Sequence, residues 1–265
     1  KAVFDMLERE KPAAIIDAAA RVGGILANNT YPYEFLMDNM LIQNSLINAA
    51  HQLDIPKFIF LGSSCIYPKM APQPLKEEYL LTGPLEETNQ WYAIAKISGV
   101  KLIEALRNQY KRDYVSIMPT NLYGPGDNYD LETSHVLPAM IRKFHEAKLN
   151  NHSNVILWGT GTPKREFLHV DDLAKAIVFV LENKMEEHIY NVGSGNDITI
   201  KDLANLIQNI TGHNGEILWD KVKPDGTPRK LLDTSKLSTL NWRSKTSLKK
   251  GIEKTYNNFQ VLENL

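Results

Sequence analysis

The sequence has one cysteine in 265 residues, Cys65, so no intramolecular disulfide can form. A lone thiol fits a reducing, cytosolic compartment. No uninterrupted apolar run approaches the roughly 20 residues of a membrane helix, and no signal-peptide pattern opens the chain. An excess of positive charge is missing too. Thirty basic and 31 acidic side chains leave a formal charge of -1, which argues against the basic stripe a nucleic-acid partner needs. No His, Cys and carboxylate spacing reads as a metal site, and there is no internal repeat or low-complexity tract. None of the 15 glycines falls in a GxGxxG or GxxGxxG pattern. The pairs Gly124-x-Gly126, Gly159-x-Gly161 and Gly193-x-Gly195 lack the third glycine and the strand-to-helix setting of a phosphate loop.

What is present is 43% apolar residues, enough for a sizeable core. Ala2 to Glu10 suits a helix with no strand before it. Ala13 to Ala20 reads as a buried strand, Phe35 to Leu53 as a helix with apolar Leu36, Met40, Ile47 and Ala50 on one side, and Lys57 to Leu61 as a short strand. A helix over Gln90 to Tyr110 and a strand over Tyr114 to Met118 follow. Strands alternating with helices of this length predict βαβ units and a parallel α/β sheet. Further on, the pattern predicts helices over 136–147, 171–182 and 200–211. It also predicts strands over 155–158 and 189–192, and a hairpin-type turn at Gly159 to Pro163.

Tyr92 and Lys96 are one helical turn apart and share a face. A phenol of ordinary pKa near 10 exchanges protons poorly at neutral pH, and a neighbouring ammonium is expected to lower that value and equip Tyr92 to protonate a developing alkoxide. A solvated helix carries such a pair equally well. The second feature is Gly62-Ser63-Ser64-Cys65-Ile66-Tyr67, directly after a buried strand. Ligands of open α/β sheets bind at that strand edge, where a serine can hydrogen-bond a substrate oxygen. A plain polar turn is the competing reading. Cys65 reads either as a base, once a cation or helix terminus lowers its pKa, or as a small buried filler. His135, in a loop before a helix, suits proton shuttling near neutral pH or a surface role. His169 reads as structural.

Strand-edge serine, then helical Tyr92 and Lys96, resemble the extended short-chain dehydrogenase/reductases, and the similarity runs along nearly the whole chain. It includes Ala18-Ala19-Ala20, Pro119-Thr-Asn-Leu-Tyr-Gly-Pro125, Arg165-Glu-Phe-Leu-His-Val-Asp-Asp172 and Tyr190-Asn-Val-Gly-Ser-Gly195. The family's spacing selects Ser63, four residues before Tyr67, over Ser64. Four longer stretches narrow the resemblance to the family's branch of GDP-sugar epimerase-reductases. These are 22–32, 62–69, 134–136 and the polar loop Lys223-Pro-Asp-Gly-Thr-Pro-Arg-Lys230.

The resemblance implies a Rossmann-like doubly wound parallel sheet with a smaller C-terminal α/β substrate lobe. The expected division is 1–133 for dinucleotide binding and 134–265 for substrate, with 167–195 returning to the first part. The implied reaction inverts C3 and C5 of GDP-4-keto-6-deoxy-D-mannose, with Cys65 as base and His135 as acid. NADPH-dependent reduction at C4 then yields GDP-L-fucose. The implied catalytic set is Ser63, Cys65, Tyr92, Lys96 and His135. NADP(H) is expected along Ala18, Ala19, Ala20, Leu61, Gly62, Ser63, Ser64, Tyr92, Lys96, Pro119, Thr120, Asn121, Leu122 and His135. The GDP-sugar is expected at Lys143, Trp158, Arg165, Asp225 and Arg229. A homodimer through helices 35–53 and 90–110 is also implied, with no membrane, nucleic-acid or metal partner. The similarity begins after the family's first βαβ unit. The expectation is therefore that this stretch lacks that unit, with its glycine loop and first strands, and by itself binds cofactor poorly. Competing readings are another nucleotide-sugar epimerase or dehydratase, which gives Cys65 and His135 no task, and a non-catalytic nucleotide-binding subunit, which needs no proton-transfer groups.

Overall fold

The computed structural model describes residues 1–223 and 225–263; Pro224, inside the polar loop 223–230, lies outside them. The chain opens with α1 (Ala2–Glu10), β1 (Ala14–Asp17), a short α2 (Ile25–Thr30) and a long α3 (Pro32–Gln52). Next come β2 (Lys57–Leu61), a 3₁₀ turn at Ser64–Ile66, α4 (Gln90–Tyr110), β3 (Asp113–Pro119) and β4 (Asn121–Tyr123). The second half holds α5 (Val136–Leu149), β5 (Asn154–Trp158), β6 (Lys164–His169), α6 (Val170–Glu182) and β7 (Ile189–Val192). It ends with β8 (Asp197–Thr199), α7 (Ile200–Thr211), β9 (Glu216–Asp220), β10 (Arg229–Lys230), α8 (Ser235–Thr239) and α9 (Leu248–Glu263).

The main sheet is parallel throughout, in the order β1-β2-β3-β7. Its inner strands are apolar runs rather than alternating patterns, because helices cover both faces. Phe58, Ile59 and Phe60 of β2 and Tyr114, Val115, Ile117 and Met118 of β3 are all fully buried. Burying a side chain of this size stabilises by about 1.5–3 kcal/mol. α3 and α4 pack on this sheet, and the Gln43 side-chain amide ties them by donating to the Ala95 carbonyl (2.6 Å) and the Ser98 hydroxyl (2.9 Å). β1 stands at the sheet edge among the described residues, and its Ile16 is 45% exposed.

Two smaller sheets form the second half. One runs β10-β6-β4 in parallel, with β8 antiparallel on β6, and the other pairs β5 with β9 in parallel. Their core gathers Leu137, Ile141 and Phe144 of α5, Leu203 and Ile207 of α7 and Phe259 of α9.

Two sequence expectations need correction. The strand expected over 13–20 stops at Asp17, whose carboxylate accepts the Ala19 amide (3.2 Å) and so turns the chain out of the sheet. The segment Gly159 to Pro163 is not a hairpin. The Gly159 amide donates to Asp220 on β9, while β6 pairs with β10 and β4, so the turn carries the chain from one sheet to another. Gly159 and Gly161 both adopt positive φ there.

Candidate active site

The C-terminal edge of β2 builds the first part of the site. Ser63 has an extended backbone and caps the 3₁₀ turn, its Oγ accepting the Cys65 amide at 3.3 Å. The turn places Cys65 against the sheet with 7% exposure. Ser64 beside it is buried, while Ser63 keeps partial access. The side chain next in the spacing, Tyr67, is buried and donates to Asn191 Oδ1 (2.6 Å), which locks the loop to β7.

α4 delivers Tyr92 and Lys96 to the same edge. Lys96 is 3% exposed; its Nζ donates to the Leu61 carbonyl (2.8 Å) and stands 4.7 Å from the centre of the Phe60 ring and 5.9 Å from that of Tyr92. Lys96 thus clamps the end of β2. Burial lowers its pKa, and the carboxylate of Asp17 and the thiol of Cys65 oppose that fall. Tyr92 departs from expectation. Its phenol pKa is pushed up, first by burial and then by the nearby Cys65, and Lys96 does not offset this. The ammonium donates to the Leu61 carbonyl and not to the phenol oxygen. A phenol in this setting keeps its proton at neutral pH and gives it up only to a strongly basic oxygen such as an alkoxide.

Burial also raises the pKa of Cys65, opposed by Lys230, by the hydrogen bond with Ser63 and by Lys96. His135 stands at the N-cap position of α5 without a side-chain capping bond and keeps an exposed surface, yet crowding by surrounding protein lowers its imidazole pKa, with Asp127 acting the other way. Both shifts disfavour the charged forms, the thiolate and the imidazolium. The loop that presents His135 is well ordered. Asp130 accepts from the Glu132 and Thr133 amides and the Thr133 hydroxyl, and the Gly24 amide donates to the Thr133 carbonyl (3.0 Å). A Cβ on Gly24 would lie 3.0 Å from the Ser134 carbonyl oxygen, so glycine permits this close approach. Asn28 fixes the other side by donating to the Gly23 and Gly24 carbonyls.

The residues expected along the cofactor lie at the same end of the sheet. Ala18, Ala19 and Ala20 line an open groove of ≈ 690 Å³ with Arg21, Asp38, Leu41 and Ile42. Leu61 and Gly62 end β2, and the Gly62 amide donates to Ile117 (2.9 Å). Pro119 closes β3; Thr120, Asn121 and Leu122 run into β4, where the Thr120 hydroxyl and Asn121 amide donate to the Glu166 carbonyl.

The expected substrate contacts come from the second half. Trp158 is 51% exposed at the end of β5, with the ammonium groups of Lys143 and Lys223 5.9 Å and 5.2 Å from the centre of its ring. Lys143 also donates to the Ile156 carbonyl (3.1 Å). Arg165 leaves β6 half-buried; burial lowers its pKa while Glu86 and Asp225 face it. Asp225 accepts from the Thr160 amide (2.7 Å) and hydroxyl (2.8 Å), and so shapes the loop after β5. Arg229 is already paired with Asp197. His169 is buried and caps α6 by accepting the Asp171 amide (3.2 Å), a structural role.

Sequence reasoning missed Asp17, Asp127, Glu166 and Lys230. Glu166 and Lys230 stood inside stretches already singled out, Arg165 to Asp172 and Lys223 to Lys230, but without a role. Glu166 is fully buried, and its carboxylate accepts from the Gly195 amide (2.6 Å) and the Leu232 amide (3.0 Å). Among the described residues no group of three metal-ligating side chains occurs, and no helix is long and apolar enough to cross a membrane.

Residues 1–193, nearly three quarters of the chain, match the NAD dependent epimerase/dehydratase family. The chain belongs to this family. Among curated relatives it is 57% identical to the Putative GDP-L-fucose synthase 2 of Arabidopsis thaliana, over 93% of this chain and 75% of that protein. It is 52% identical to the GDP-L-fucose synthase of Escherichia coli strain K12, over 100% of this chain and 84% of that one. Among solved structures, a GDP-mannoheptose C4 reductase from Campylobacter jejuni with NADP bound superposes with a TM-score of 0.89 at 34% identity. That match covers 98% of this chain and 85% of the other.

Proposed function

We propose that the protein converts GDP-4-keto-6-deoxy-D-mannose into GDP-L-fucose, by inversion at C3 and C5 followed by reduction of the C4 ketone with NADPH. The observation that carries this reading is the placement of Cys65 in the 3₁₀ turn that Ser63 caps, in electrostatic reach of both Tyr92 and Lys96. A reductase without epimerisation has no use for a thiol at that point. The similarity to proteins named GDP-L-fucose synthase supports the substrate.

The hydrogens at C3 and C5 are acidic because each adjoins the C4 ketone. Ser63 holds the C4 oxygen, and Cys65 as thiolate removes a proton from one face of the ring. His135 as imidazolium returns a proton to the other face. Proton exchange with solvent then restores thiolate and imidazolium, and a second round inverts the other centre. Tyr92 then protonates the C4 oxygen as reduction proceeds, while Lys96 keeps the end of β2 in place. A bound nicotinamide cofactor would supply the hydride. The groove beside Ala18 to Ala20, in the bend that follows β1, fits such a cofactor, because small side chains leave the sheet edge open. NADP is bound in the Campylobacter jejuni reductase, which supports NADPH as the reductant. Arg165 reaches for the diphosphate, since a guanidinium forms paired hydrogen bonds to anionic oxygens. Lys143 and Trp158 border the nucleotide sugar.

The test is solvent exchange. In heavy water, GDP-4-keto-6-deoxy-D-mannose should take up deuterium at C3 and C5, and NADPH should then convert it to GDP-L-fucose. Product formed without deuterium at either carbon would sink the assignment. We also infer a homodimer through α3 and α4, supported by the exposed apolar side chains Met37 on α3 and Ile94 on α4. Sedimentation velocity showing a monomer at micromolar concentration would refute it.

A further inference from the structure

Glu166 has no part in the reaction above, yet it sits where the segments that border the site converge. It follows Arg165 on β6. Consecutive strand residues point to opposite faces, so its carboxylate points away from the side that Arg165 serves. The residue is fully buried. Its Oε1 accepts the Gly195 amide (2.6 Å) and the Ser194 hydroxyl (3.4 Å), both in the turn after β7. Its Oε2 accepts the Leu232 amide (3.0 Å), just beyond β10. The Glu166 backbone carbonyl serves a third segment, the loop expected along the cofactor, by accepting from the Thr120 hydroxyl (3.2 Å) and the Asn121 amide (2.8 Å).

The two segments that the carboxylate binds meet again at the substrate rim. Beyond Gly195 the chain enters β8, whose Asp197 is the register partner of Glu166 and pairs with Arg229. On the other side, Arg229 and Lys230 of β10 pair with Lys164 and Arg165. The exit from β10 is then anchored in the core, where Leu231 donates to Gln73 Oε1 (2.9 Å) and buried Leu232 bridges to Leu75. The polar loop 223–230 therefore ends on a strand whose exit Glu166 holds. Gly193 makes room for this arrangement, since a Cβ there would run into Oε1. Each carboxylate oxygen has its own backbone amide, a demand that a carboxamide cannot meet because it accepts at one end only.

We propose that Glu166 is a positioning residue for the GDP-sugar: its carboxylate braces the turn after β7 against β10 and so sets how Arg165, Asp225 and Arg229 face the nucleotide diphosphate. The cofactor-side loop hangs on the Glu166 carbonyl instead, so a side-chain change loosens the substrate rim and spares that loop.

This inference rests on the reading that the rim binds a GDP-sugar, and two measurements keep the two apart. Glu166→Gln preserves shape but sets a carboxamide N–H against either the Gly195 or the Leu232 amide. Hydrogen exchange read by mass spectrometry, without ligand, should quicken at 194–196 or 231–233 and stay at wild-type rates over 120–123 and 90–110. Steady-state kinetics should show KM for the GDP-sugar raised about tenfold, the order expected for losing one hydrogen bond to a charged group, with kcat and KM for NADPH within about threefold of wild type. Wild-type exchange together with wild-type KM overturns the proposal. A uniform rise in exchange across the main sheet, with kcat and both KM values changed together, overturns it too, because that is the signature of a general core residue. Should Glu166→Gln not fold, the same two readouts on Glu166→Asp, whose carboxylate falls short of the two amides, have the same force. The expected exchange pattern in a protein whose wild type binds no GDP by calorimetry would reject the substrate reading and leave the Glu166 brace standing.

Discussion

Ser63, Cys65, Tyr92 and Lys96 are held by regular structure, the 3₁₀ turn after a largely buried strand and the first two turns of a 21-residue helix. Lys143, Trp158, Arg165, Asp225 and Arg229 come instead from strand ends, a helix face and loops of the second half, and most keep solvent access. On the proposed reading the first group would meet carbons that must be placed within about a few tenths of an ångström, so rigid backbone is needed. The second group would meet phosphates and a base that tolerate adjustment, so its contacts are expected to add affinity more than rate. Proton chemistry at the buried strand edge and recognition at the open rim should respond differently to mutation.

The largest effect is expected at Tyr92. Tyr92→Phe removes the proton donor and should slow NADPH-dependent ketone reduction by about 10³-fold, with GDP-sugar affinity changed little. Reduction followed by NADPH absorbance decides it, and equal turnover would break the assignment. Cys65→Ala should lower deuterium uptake at C3 and C5 by about 10²-fold while sparing reduction of an inverted ketone. The wild-type exchange rate should also have a distinctive pH profile. Because the active pair is thiolate plus imidazolium, the rate should rise as pH climbs through the lowered value of His135. It should fall again as pH passes the raised value of Cys65. Between these limbs, from about pH 6.5 to 8.5, it should be flat. A steep rise across that window would show that only the thiol titrates.

Smaller changes are expected at the rim. Arg165→Ala should raise KM for the GDP-sugar about 10- to 100-fold with a lesser effect on kcat, the signature of lost ground-state binding. A kcat loss at unchanged KM would move Arg165 into the proton machinery. Arg229→Ala should change KM by only a few fold, because its guanidinium is engaged by Asp197. Its clearer effect should be a loss of about 1 kcal/mol in denaturant unfolding, since Asp197 is left largely buried without its partner.

Stability has its own pH signature. Asp172 is buried at the start of α6, where burial works against its charge. The Thr246 and Lys245 amides (2.7 and 2.9 Å) more than compensate and hold its pKa below the usual carboxylate range. A depressed value means stability that is complete above about pH 4 and lost as pH falls through the folded-state value. Asp172→Asn should therefore destabilise at pH 7 and flatten the acid limb of the unfolding profile.

Much of this was legible in the chain before folding. Apolar runs separated by amphipathic stretches specify a parallel α/β sheet, because only strands covered on both faces read that way. The helix over Gln90 to Tyr110 has the bounds its periodicity gives, and a spacing of four puts Tyr92 and Lys96 on one face by geometry alone. Local spacing also places Ser63 and Cys65 on a single turn. Tertiary structure decided the rest. Nothing in the sequence says that the Lys96 ammonium donates to the Leu61 carbonyl, or that Asp220 on β9 rather than a hairpin takes the Gly159 amide. Cys65 and Lys96 come from a loop and a helix that are separate along the chain, and only the packing of α4 on the end of β2 brings them to one joint. Desolvation and charge pairing depend on that joint, so the protonation state of the site belongs to the fold.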